Sequence, residues 1–110
     1  QDMEKEVKLT VLDRVMLPSV LKKEANYMTL IINKDIKKKV ELTQDELVKF
    51  KFKTVGQGLT WSLPEDMEDS FNFSFRDSES TEIFDCLNKL NSENKLTEEL
   101  TNLYAIFNKM

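Results

Sequence analysis

Histidine is missing from all 110 residues, cysteine occurs once, at Cys86, and glycine and proline occur twice each. The first absence removes the commonest general base near neutral pH, the commonest metal ligand, and with them the Ser-His and Cys-His nucleophile pairs. A single thiol excludes an intramolecular disulfide and fits a reducing cytosol. With Phe84, Leu87 and Leu90 nearby in the chain, Cys86 reads as a small core residue. No apolar run approaches the ~20 residues of a membrane helix, and no cationic leader precedes one, so the expectation is a cytoplasmic chain without a membrane span. The sequence opens on Gln1, which is read as a two-residue scar (Gln1 and Asp2) ahead of Met3 in preference to a processed N-terminus.

What is present suits one domain over residues 1–110: the hydrophobic content of 40% supports a core that needs neither disulfide nor metal. The net charge of −4 conceals a split, because residues 1–53 carry 12 Lys or Arg against 9 Asp or Glu, whereas residues 54–110 carry 4 against 11. Halves of opposite sign either pack together and neutralise each other or form two patches with separate partners. Neutralisation and a monomer are expected, with a weak, salt-sensitive oligomer as the alternative.

Two periods compete near the N-terminus. Val7, Leu9 and Val11 alternate as in a strand, while Leu9, Leu12, Val15 and Met16 recur at helical spacing. A helix over about 10–17, capped by Thr10 and ended by Pro18, is the preferred reading. A second helix follows Asn26, with the ladder Met28, Ile32, Ile36, Val40 on one side and Lys34, Lys37 and Lys38 on the other. Thr43-Gln44-Asp45-Glu46 is a capping-box sequence for one helical turn. The period then changes to two: Phe50 and Phe52 alternate with Lys49, Lys51 and Lys53; Leu59 and Trp61 follow the turn Gly56-Gln57-Gly58; Phe71, Phe73 and Phe75 complete the set. Two amphipathic stretches close the chain, one carrying Ile83, Phe84, Leu87 and Leu90 behind a cap at Asp77 or Ser78, the other Leu100, Leu103, Tyr104 and Phe107 behind Thr97. The expected fold is α+β: a three-stranded antiparallel meander with one aromatic face covered by helices, in the order α-α-β-β-β-α-α.

Each candidate for chemistry has a plainer alternative. Glu65, Asp66, Glu68 and Asp69 lack the spacing and the glycine of a calcium loop, and an exposed run of like charges does not supply the raised pKa of a glycosidase acid. They form a solvated acidic loop and a candidate acidic partner patch. Gly56-x-Gly58 joins two strands, so it is a hairpin turn and not a phosphate loop. Lys34, Lys37, Lys38, Lys49, Lys51 and Lys53 make a candidate anion-binding or partner patch. The strand aromatics all belong to the opposite face, which argues against stacking of single-stranded bases. No catalytic residue, metal site or cofactor is expected.

Leu12-Asp13-Arg14, Leu42-Thr43 with Asp45-Glu46-Leu47, Leu59-Thr60-Trp61, and Lys95-Leu96-Thr97-Glu98-Glu99 with Leu103-Tyr104 and Phe107 together resemble a group of small uncharacterised proteins of bacterial and bacteriophage genomes. The resemblance covers nearly the whole chain and implies a small cytosolic accessory protein of mobile-element origin, with no catalytic residues to carry over. The functional expectation is a non-enzymatic interaction module acting through a surface on a protein partner. The runner-up is a small regulator or inhibitor that binds nucleic acid, a nucleotide or a nucleic-acid enzyme. An enzyme working with carboxylates and lysines alone is the third class.

Overall fold

The computed structural model describes residues 3–109. Gln1 and Asp2, read above as a scar, lie outside the described residues. The element order is β1 (Glu4–Leu9), α1 (Val11–Val20), α2 (Tyr27–Val40), α3 (Gln44–Lys49), β2 (Lys53–Val55), β3 (Gly58–Thr60), β4 (Phe71–Arg76), α4 (Asp77–Ser92), a 3-10 turn (Glu98–Leu100) and α5 (Thr101–Asn108). The fold is α+β.

Both N-terminal periods are used, one after the other. The alternating residues run as β1, and Thr10 then ends the strand and starts α1 through a capping box: its hydroxyl accepts from the Asp13 amide, and the Asp13 carboxylate accepts from the Thr10 amide. Asp69, on the acidic loop, accepts from the Val11 amide at 2.8 Å and adds a negative charge at the positive end of the helix. Pro18 does not end α1, which runs on to Val20. The lost ladder bond is outweighed by packing, since Leu17 and Leu21 are both buried on either side of it. Asn26 caps α2 and the Thr43–Glu46 box caps α3, as the residues predict.

The three-stranded meander does not form. β1 pairs antiparallel with β4, Val7 opposite Phe73, and β2 pairs only with β3. The aromatic strand Phe71–Arg76 thus takes its partner from the N-terminus and not from the hairpin before it. The helix order differs with it: a strand opens the chain, and three helices precede the hairpin.

The main core lies between the inner face of β1–β4 and helices α1, α2, α4 and α5, around Leu9, Leu17, Ile36, Phe75, Leu87 and Leu103. Phe50 and Phe71 meet at 5.8 Å, and Phe52 and Trp61 stack at 5.3 Å, as a satellite beside that core. The aromatic set is therefore shared between a core and an annex in which Phe50 is buried and Phe52, Trp61 and Phe71 are half-buried.

Candidate functional site

The annex forms a groove, and a Schellman motif builds it. After α3 the Phe52 amide donates to Leu47 O and the Lys51 amide to Val48 O, with Lys51 held at φ 54°. This reversal lays Phe52 against the side of α3 that carries Leu47. The hairpin then runs out with Gly56 at φ 61°, the first of the two central turn positions, where a positive φ favours glycine. The register Thr54↔Leu59 extends to Phe52 opposite Trp61, so these four side chains share one face. Phe52, Thr54 and Leu59 of that face, with Val15, Leu42, Leu47 and Lys53, line a groove of about 320 Å³.

The surroundings of the groove are both apolar and cationic. Leu59 is 43% exposed, and Val48 and Val55 are exposed at 70% and 61%. Lys49, Lys51 and Lys53 are exposed, and among the described residues none of the three forms an ion pair. Lys34, Lys37 and Lys38 are exposed on α2. The candidate basic patch is thus divided between α2 and the α3–hairpin segment. Lys39, placed by its sequence beside the α2 lysines, turns inward: its ammonium donates to Ser74 O at 2.8 Å and to Glu79 Oε1 at 2.6 Å.

Two charge clusters hold this scaffold. Arg14 is buried; its guanidinium donates to Val40 O, to Glu41 O and, in a two-pronged contact at 2.9 Å each, to both carboxylate oxygens of Glu46. It also lies over the rings of Phe71 and Phe73 at 5.0 and 5.1 Å. Arg14 hydrogen bonds hold the Glu46 carboxyl down at about 2, against the partial burial that works the other way. Glu79 has a fully buried side chain; burial opposes its ionisation, but Lys39, the Arg76 amide and the Arg76 guanidinium prevail and lower its pKa. Both clusters join elements far apart in the chain, and their partners are spent on that task.

The remaining candidates sit as follows. Glu65, Asp66, Glu68 and Asp69 are exposed, and no ion pair among the described residues joins them to the candidate lysines. Among the described residues no three His, Cys, Asp or Glu side chains converge as a metal-binding group. Cys86 is buried, and burial together with the Glu82 carboxylate pushes its thiol up to about 11, which makes it a poor nucleophile. Among the described residues no helix is long and apolar enough to cross a membrane. Sequence reasoning placed Lys53 in the basic patch but read Phe52 and Leu59 as part of a covered strand face, and it gave no site role to Val15, Leu42 and Leu47, which line the groove with them. For Leu42 and Leu47 the one signal is that apolar residues stand just before and within the short helix α3; Val15, in α1, carries none.

The fold and this groove define an α+β protein with a small apolar cleft on a basic flank. No family model, no curated protein and no solved structure matches the chain.

Proposed function

We propose that this chain is a non-enzymatic interaction module whose groove receives an apolar side chain from an acidic protein segment. The observation that carries the reading is the coincidence, on one flank, of a cleft floored by Val15, Leu42, Leu47, Phe52 and Leu59 with three exposed lysines that form no ion pair among the described residues. Apolar burial would supply the affinity, and the lysines would supply attraction and orientation. The setting proposed is the cytosol, in keeping with one unpaired, buried thiol.

Trp61 is the only tryptophan and stacks on Phe52, which lines the groove, so its fluorescence reports occupancy. A short acidic peptide with a central leucine should produce a saturable change in Trp61 emission. The change should vanish when the leucine is replaced by serine, and in the Leu59→Asp variant. Emission that does not respond to the leucine peptide would refute the reading. A response to a generic oligonucleotide, lost in Lys51→Glu and Lys53→Glu, would favour a phosphate-binding surface instead.

A further inference from the structure

The two edges of the β1–β4 sheet are unequal. The Asp77 amide donates to Met3 O at 3.1 Å, which makes Met3 and Asp77 a hydrogen-bonded pair continuing the register of the two strands. By alternation Lys5, Val7 and Leu9 exchange their backbone bonds with β4, and the amides and carbonyls of Glu4, Glu6 and Lys8 point outward from β1. The same alternation turns Ser74 and Arg76 to the far edge of β4. There the groups meet protein partners: Ser74 O accepts from Lys39, and the Arg76 amide donates to Glu79. The β4 edge is therefore partly blocked by side chains. On β1, Glu4, Glu6 and Lys8 are exposed, and no hydrogen bond to their outward backbone groups is found among the described residues. An open edge of this kind is a template for another strand.

In one register only do the side chains beside those groups pair opposite charges without also setting like charges against each other. Residues that share a hydrogen-bonded pair across an antiparallel junction stand directly opposite each other. Centring the junction on Glu6 sets Glu6 against its own copy beside two Glu4–Lys8 pairs, centring it on Lys5 sets Glu4 against Glu6, and centring it on Lys8 sets Lys8 against itself. Centring it on Val7 places Glu6 opposite Lys8 of the partner subunit twice over, by symmetry, and joins like charges nowhere. Both copies then keep their helices on the same side of one sheet, and Glu4, Glu6 and Lys8 stay on the polar side.

We propose that a second copy of this chain pairs with the β1 edge, antiparallel and two-fold symmetric about Val7, to form a four-stranded sheet in the order β4-β1-β1-β4. The contact of two six-residue edges is small, so the dimer is weak and concentration-dependent. It is independent of the groove, and it departs from the monomer that the charge split suggests.

Charge exchange tests the register. Equilibrium sedimentation at rising concentration should show wild-type mass climbing from one chain towards two. Glu6→Lys and Lys8→Glu each turn both attractive pairs into repulsive ones and should weaken dimerisation by about tenfold or more. A mixture of the two variants restores both pairs and should recover the dimer, as should the doubly exchanged chain. Both positions are exposed, and circular dichroism verifies that each variant remains folded. Wild-type protein that stays monomeric up to millimolar concentration would overturn the proposal, leaving β1 an edge protected by its charges. Single variants that dimerise as wild type does, or a mixture that does not recover, would overturn it equally.

Discussion

At the scale of the residue, Arg14 and Glu46 show how a buried cation is made tolerable. The guanidinium gives four of its five N–H donors to two carbonyls and one carboxylate and lays its faces on two aromatic rings, which offsets most of the cost of burying it. Lysine cannot reproduce that fork, and Arg14→Lys should lose on the order of 2–4 kcal/mol in denaturant unfolding. The pair also predicts a pH dependence. The folded Glu46 carboxyl lies at about 2 against an ordinary 4.5, a depressed value, so its contribution is fully present above pH 4.5 and is lost as pH falls towards 2. At roughly 1.4 kcal/mol per pH unit, reduced for solvent screening of a partly exposed side chain, it amounts to about 1–2 kcal/mol. Unfolding free energies measured from pH 5 down to 2 should fall less steeply in Glu46→Gln than in wild type, and equal slopes would show that the pair does not matter to acid stability.

Among the elements, the helix ends carry the most information. α3 and α4 both close with Schellman motifs, Lys51 and Asn94 holding the left-handed position at φ 54° and 57°. Asparagine tolerates that region through its short polar side chain, whereas lysine pays a steric cost that glycine avoids. Lys51→Gly should therefore raise stability by about 0.5–1 kcal/mol, seen as a higher urea midpoint at unchanged m value. A loss of stability would mean that the Lys51 side chain makes a contribution larger than the backbone relief. α1 carries the opposite lesson: Pro18 interrupts its hydrogen-bond ladder, yet the turn beyond it holds because Leu21 is buried.

For the whole molecule, the β1–β4 pair is the surface on which four helices assemble, and Phe75 is its centre. Its ring is fully buried and meets Phe107 edge-on at 5.7 Å, with the Lys39 ammonium 5.4 Å from its centroid. Phe75→Ala should cost about 3–5 kcal/mol, as large-to-small core changes do. Phe52→Ala, at a half-buried position in the annex, should cost markedly less and act on the groove instead. Thermal melts of both variants distinguish the two, and comparable losses would mean that the annex and the main core are one cooperative unit.

Much of the local structure was legible in the chain. Asn26 and the Thr43–Glu46 box mark helix starts and Gly56-x-Gly58 marks the hairpin, because each of these depends on residues within about four positions of one another. The alternation read through Lys49–Lys53 is not a strand: Phe50 caps α3, Lys51 turns the chain at φ 54°, and β2 begins only at Lys53. The groove itself was not legible: the alternation marked Phe52 and Leu59 as apolar, but as a face to be covered, and only Lys53 beside them was read as a site residue. Which strand accepts Phe71–Arg76 was not legible: β1 and the hairpin both offer alternating apolar residues, and the choice rests on how the helices between them bring distant surfaces together. Nor could composition say that Lys39 and Glu79 would meet inside. A charge is buried only where its partner arrives to compensate it, and for Lys39 and Glu79, as for Arg14 and Glu46, that partner comes from another element through the tertiary structure.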